Sequence, residues 1–176
     1  QAARDRGADV TLITAPTSLL TPVGINVQPV TSAIHMRDAV ERESKNADLL
    51  VMAAAVSDYR AARPEDQKIK KTNGDHLLLD LIQNPDIVAG VESEGLVKVA
   101  FAAETNDLIE NAYAKLFSKG VDMVVANDVS APESGFGTET NAVTFITPNH
   151  DPESMPLMDK LDVGNALLDR ILTSLK

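Results

Sequence analysis

Asp58 and the lysines Lys68, Lys70 and Lys71 are the residues of this sequence best suited to chemistry. A carboxylate followed ten positions later by three ammonium groups within four residues pairs opposite charges as a nucleoside triphosphate and its metal require. Taken alone, such lysines read as a solvated charge run and such an aspartate as a turn cap. Their context argues otherwise. They follow the apolar run Leu49-Leu50-Val51-Met52-Ala53-Ala54-Ala55-Val56, which reads as a buried parallel strand. Residues just past such a strand lie where open α/β sheets bind ligands. Residues 60–75 are rich in charge and poor in apolar side chains, so they read as a mobile loop or flap whose lysines are free to close over a ligand.

The elements that must position these groups alternate along the chain. Residues 1–7 read as the end of a helix, with Gly7 at the left-handed position past its C-terminus. Residues 10–14 and 26–30 read as strands, and Thr31 or Ser32 caps a helix to about Lys45 that buries Ala33, Met36 and Val40. Residues 76–82 return as a strand, and Asn84 is placed to cap a helix whose first turn is Pro85-Asp86-Ile87. Residues 96–103 are a buried strand. Asn106 or Asp107 opens a helix with Leu108, Ala112 and Leu116 inward, which Gly120 closes. Residues 121–126 read as a parallel strand, 132–137 as loop, 142–147 with 155–158 as an antiparallel edge pair, and 161–175 as an amphipathic helix.

The pattern predicts a Rossmann-like α/β fold with a mostly parallel central sheet, helices on both faces and an antiparallel edge hairpin. A length of 176 residues suits one domain with a sizeable core. Because the helix ending at Gly7 has no visible beginning, an N-terminal strand-loop unit is expected to be missing from this single, truncated domain.

A formal net charge of −10 argues against a sequence-independent grip on nucleic acid, which rests on many Lys and Arg contacts to phosphates. The chain has no cysteine, so it supplies neither a disulfide framework nor a thiolate nucleophile. Its apolar runs fall short of the roughly 18 residues that a membrane span needs, and a soluble, cytoplasmic protein is expected. His35, His76 and His150 lack ligand-like spacing and read as structural.

Five ordered motifs carry a resemblance over nearly the whole chain. Ala53-Ala54-Ala55-Val56-Ser57-Asp58-Tyr59-Arg60, Lys68-Ile69-Lys70-Lys71, Asn84-Pro85-Asp86-Ile87-Val88, Phe101-Ala102-Ala103-Glu104-Thr105 and Ala126-Asn127-Asp128-Val129-Ser130 occur in that order. In order and spacing the sequence resembles phosphopantothenoylcysteine synthetase, the ligase domain of the bacterial bifunctional coenzyme A biosynthesis protein. The resemblance implies CTP-dependent ligation of 4′-phosphopantothenate to cysteine through an acyl-CMP intermediate, with Mg2+ on the triphosphate. It further implies a homodimer and a fused or partner decarboxylase domain, the only place where FMN would bind.

Residue by residue, the resemblance makes Lys68 catalytic, drawing off charge as a carboxylate attacks the α-phosphorus and pyrophosphate leaves. It makes Met52, Ala53, Ala54, Asp58, Lys68, Pro85, Asp86, Ile87, Val88, Phe101, Lys115 and Lys119 contacts of CTP. Lys70 and Lys71 are steering charges, and no metal ligand is assigned. The bland roles differ. Phe101 would be core, and Lys115 and Lys119, four apart on one helix face, would complement the carbonyl end of their helix. Asn127 and Asp128 end a strand on the same sheet edge and could border the pocket, while Asn141 and the Gly135-Phe136-Gly137 turn recur in the family; no role follows for any of them from the residues. Two other readings stand beside the ligase: an NAD(P)-dependent oxidoreductase, although no Gly-x-Gly-x-x-Gly occurs here, and a domain that binds a nucleotide without turnover.

Overall fold

A computed structural model of the chain describes residues 1–70, 76–104, 107–128 and 137–174. In chain order the elements are α1 (Ala2–Asp5), β1 (Thr11–Thr14), β2 (Asn26–Pro29), α2 (Ala33–Glu43), β3 (Leu49–Met52), β4 (Tyr59–Ala61), β5 (Leu81–Gln83) and β6 (Val97–Glu104). They continue with α3 (Leu108–Lys119), β7 (Met123–Asp128), β8 (Thr140–Asn141), β9 (Val143–Ile146), β10 (Glu153–Ser154), β11 (Met158–Asp159) and α4 (Lys160–Ser174). The central sheet has the order β10-β9-β7-β6-β3, while β1-β2, β4-β5 and β8-β11 form separate two-stranded sheets. Strands β3, β6 and β7 run parallel, and β9 closes the edge antiparallel to β7. The mostly parallel Rossmann-like sheet with an antiparallel edge is therefore present.

Period-two alternation divides the sheet's side chains between two helices. Ala100, Ala102, Val124 and Ala126 face Ala112 and Leu116 of α3, whereas Val99, Met123, Val125 and Val143 face Val163, Leu167 and Ile171 of α4. A third cluster sets Met36, Ala39 and Val40 of α2 against Val30, Ile87, Val91 and Leu96. Small alanines on the α3 side let that helix approach closely; bulkier valines fill the α4 side. Local signals fix the helix ends. The Ser32 side chain accepts a hydrogen bond from the His35 amide at 3.1 Å, and Gly120 closes α3 at φ 56, a conformation that glycine adopts without a Cβ clash.

Arginines stitch α4 to distant segments. Arg6 of the first turn reaches Asp169 at 2.6 Å, and Arg170 grips Glu153 while its guanidinium lies 4.3 Å from the Phe145 ring centroid. Hydrogen bonding by these arginines holds the Asp169 and Glu153 carboxyls below their ordinary ranges.

Several boundaries depart from the sequence reading. The apolar run forms a strand only over Leu49–Met52, with Val51 40% exposed, because β3 pairs with β6 on one side and has no partner on the other among the described residues. Ala53 to Val56 continue without a ladder. Arg60 and Ala61, read as the start of the flap, instead form with Tyr59 a strand that pairs antiparallel with Leu81–Gln83, and this short partner limits the expected strand over 76–82 to three residues. No helix follows Asn84. Residues 87–90 form one turn in which the Asp86 carboxylate, not Asn84, accepts from the Ala89 amide at 3.2 Å. The edge hairpin pairs β9 with Glu153–Ser154, and Met158 lies instead opposite Asn141 in β8. Lys71, Thr105, Asn106, Val129, Ser130, Leu175 and most of the 132–137 loop lie outside the described residues.

Candidate functional site

A cavity of about 720 Å³ opens over the C-terminal ends of β3, β6 and β7, large enough for a nucleotide with room beside it. Its floor is the segment from Met52 to Asp58 and the far half of β6, including Phe101. One wall carries Pro85, Asp86, Ile87 and Val88 with Lys115 and Lys119 of α3; the other carries Asn127, Asn141 and the first turn of α4.

The Asp58 segment is held in place by Asn84. Its amide nitrogen donates to the Ser57 carbonyl at 2.8 Å, its carbonyl accepts from Arg60 at 3.2 Å, and its backbone N–H donates to the Asp58 carbonyl at 2.7 Å. Arg60 also donates to the Gln83 carbonyl at 2.7 Å. Two motifs 26 residues apart are thereby locked side by side, with Asn84 itself only 9% exposed. The side chain that looked like a helix cap serves as a cross-link between loops.

On the α3 wall, Lys119 forms an ion pair with Asp86, which tethers the Pro85 turn to the helix. Lys115 donates to the Phe101 carbonyl at 3.4 Å and so lies against the sheet edge. Phe101 is half-buried and packs with the α4 cluster, which makes its ring part core and part cavity wall. Asp58 and Asp86 are the two carboxylates of the described lining, and no group of three metal-ligating side chains occurs among the described residues.

The cavity thus gathers Met52, Ala53, Ala54, Asp58, Pro85, Asp86, Ile87, Val88, Phe101, Lys115 and Lys119. It does not gather Lys68, which sits exposed with Lys70 in residues 62–70, outside any helix or strand. Sequence reasoning missed Lys160 and Gly164 entirely and left Asn127 and Asn141 without roles. The β8–β11 pairing brings Asn141 to α4, and a two-residue ladder leaves almost no periodic signal to find.

The sequence profile of the DNA/pantothenate metabolism flavoprotein C-terminal domain matches residues 1–175. The chain belongs to that family. A coenzyme A biosynthesis bifunctional protein CoaBC from Escherichia coli (strain K12) is 42% identical over 177 residues, covering 98% of this chain and 43% of that protein. One from Vibrio vulnificus (strain YJ016) is 41% identical, with 98% and 44% covered. The chain therefore spans less than half the length of these relatives. A crystal structure of the C-terminal domain of a CoaBC protein superposes with a TM-score of 0.77 at 32% identity, covering 98% of this chain and 79% of that one. For a DNA/pantothenate metabolism flavoprotein C-terminal domain, the cavity lies where an open parallel sheet exposes strand tips and backbone donors to ligands. No helix among the described residues is long and apolar enough to cross a membrane.

Proposed function

We propose that this domain is the CTP-dependent ligase of coenzyme A biosynthesis, joining 4′-phosphopantothenate to cysteine through an acyl-CMP intermediate. The observation that carries this reading is the convergence of eleven residues from four separate sequence segments on one cavity at the sheet's C-terminal edge. Its similarity to the C-terminal domain of a CoaBC protein supports assigning the ligase to this half, with FMN confined to a fused or partner decarboxylase domain.

In this mechanism the free backbone groups past β3 and the Phe101 ring hold the base, while Lys115 and Lys119 neutralise the triphosphate. Lys119 would exchange its carboxylate partner Asp86 for phosphate oxygens. Asp58 is the lining carboxylate with no lysine partner among the described ion pairs and would hold Mg2+ together with phosphate oxygens, which suits an ion that takes one or two protein carboxylates. When bound, the metal would supply charge neutralisation. Lys68 reaches the reacting phosphorus only if residues 62–70 fold over the cavity, so closure and chemistry are coupled. Exclusion of water by that closure would protect the activated acyl group until the cysteine amine attacks.

A homodimer is part of the proposal. Tyr59, Leu77, Leu78, Leu79 and Leu81 are 52–95% exposed at and beside the β4–β5 hairpin, a run of apolar side chains that a second copy of the chain would cover.

The test is a product assay with labelled CTP, 4′-phosphopantothenate and cysteine, paired with calorimetry. CMP and pyrophosphate should form only with CTP and the acid present, and CTP should bind more tightly than ATP. Equal or tighter ATP binding would remove the base assignment; CO2 release dependent on bound flavin, without nucleotide turnover, would give this half the decarboxylase role instead.

A further inference from the structure

Two of the lining segments are joined by a residue that does not itself line the cavity. Asp58 ends the segment past β3, and Pro85 and Asp86 belong to the wall beside α3. Asn84 connects them, and Asn84 is in turn held by Arg60, the middle residue of β4, which is not among the lining residues. A single guanidinium nitrogen, Nη1, donates to the Asn84 side-chain carbonyl at 3.2 Å and to the Gln83 main-chain carbonyl at 2.7 Å.

A primary amide has an acceptor oxygen and a donor nitrogen of nearly equal size, and a half turn exchanges them. At Asn84 the two ends meet opposite demands. Arg60 has only donors to offer, whereas the Ser57 carbonyl, 2.8 Å from the Asn84 amide nitrogen, can only accept. The arginine therefore selects the one orientation in which the nitrogen points at Ser57. The Ser57 hydroxyl accepts from the same nitrogen at 3.3 Å and donates to the Tyr59 carbonyl at 3.3 Å, so the residues on both sides of Asp58 are fastened. Packing does not place this segment, because Ser57, Asp58 and Tyr59 are all exposed. Without the guanidinium, the backbone contact from Asn84 to the Asp58 carbonyl at 2.7 Å survives, but the side-chain amide loses the donor that holds its oxygen and is free to turn away from Ser57.

We propose that Arg60 is a positioning residue for the nucleotide: acting through the Asn84 amide, it presets the Asp58 segment against the Pro85–Asp86 wall before CTP arrives. Resting on the ligase reading, this adds to it a residue that touches neither substrate nor reacting atoms. Loss of the preset placement lowers apparent affinity by the fraction of molecules still correctly arranged, while bound nucleotide restores the arrangement. CTP affinity should therefore fall, and the rate at saturating CTP should not.

Calorimetry with CTP and Mg2+, together with single-turnover formation of the acyl-CMP intermediate at saturating CTP, tests this on the purified protein. Arg60→Met, which keeps much of the side chain's length but has no donor, should weaken CTP binding about fivefold, the usual effect of one lost hydrogen bond, with the saturated rate changed less than about twofold. Arg60→Lys, whose ammonium can serve the same two carbonyls, should recover most of the affinity. Asn84→Ala removes the group through which the arginine acts, so adding Arg60→Met to it should weaken CTP binding no further. A role confined to bracing the hairpin through Gln83 would instead be felt equally with and without the asparagine. Unchanged CTP affinity in Arg60→Met, equal affinities in the Met and Lys variants, additive losses in the double variant, or a saturated rate that falls as far as affinity would each overturn the assignment. Failure of the unsubstituted protein to bind CTP would remove the ligase reading, and this proposal with it.

Discussion

On the β6–β7 side of the cavity, six consecutive residue pairs lock two parallel strands, and Val99, Val124 and Val125 are completely buried between α3 and α4. On the β3–hairpin side, the ladders are four and three pairs long, Val51 is 40% exposed and Leu78 is 95% exposed. One wall is thus a packed core whose strand tips cannot move independently, and the other is joined mainly by hydrogen bonds from Asn84 and Arg60. The difference separates two jobs. Under the proposed function the rigid wall would fix where the reacting atoms sit, while the lightly packed wall would rearrange around the ligand at small cost.

The largest expected effect breaks the rigid wall. Leu116→Ala should destabilise the fold by about 3 to 4 kcal/mol, because the side chain is 1% exposed and its removal leaves a cavity between α3 and the sheet. Leu78→Ala, on the exposed side, should stay within about 0.5 kcal/mol at protein concentrations low enough to keep the chain monomeric, and urea denaturation distinguishes the two. Equal losses would mean that the walls do not differ.

Next in size is Lys68→Gln, read by single-turnover formation of the acyl-CMP intermediate without cysteine. A lysine that reaches the transition state only after closure should affect the rate more than CTP affinity, with roughly a hundredfold loss. A normal rate at saturating CTP would make it a binding residue only.

Asn84→Ala sharpens the comparison at the junction of the two walls. Loss of its contacts to Ser57 and Arg60 removes part-buried hydrogen bonds while Arg60 keeps the Gln83 carbonyl, so about 1 kcal/mol should disappear, together with part of the CTP affinity. Asn84→Asp should rescue only the contact to Arg60, because a carboxylate cannot donate to the Ser57 carbonyl.

The smallest effect concerns acid. Glu153 and Asp169 have folded-state pKa values lowered by hydrogen bonds from Arg170 and Arg6, so each contributes stability above its unfolded value, 4.5 or 3.8, and loses it as pH falls through the lower folded value. Both are surface groups, and the loss should be slight. Denaturation midpoints across this range should fall less in Arg170→Ala and Arg6→Ala than in the unsubstituted protein.

Elements that end in a strong local signal were legible in the sequence. Thr31 or Ser32 and Gly120 marked their helix ends, and the buried strand read over residues 96–103 forms over Val97–Glu104. Where pairing decides the outcome, the signal misled. Ala53 to Val56 are as apolar as β3 but join no ladder among the described residues, and Leu77 to Leu79 lie beyond the end of the three-residue pairing with β4. Asn84 has the side chain of a helix cap, yet its amide is spent on tertiary contacts that no local window contains. The α3 half of the cavity could be named from contiguous motifs. The α4 half required Asn127, Asn141 and Lys160 to meet through β-ladders between segments distant in sequence.

Hydrogen exchange before and after CTP addition tests most directly the claim that one rigid and one adaptable wall form the nucleotide site. Amides of β6 and β7 should exchange slowly in both states, whereas those of residues 53–58 and 60–70 should exchange fast without ligand and slow markedly with CTP. Slow exchange in 60–70 before CTP, or no change there and at 53–58 after it, would contradict the account.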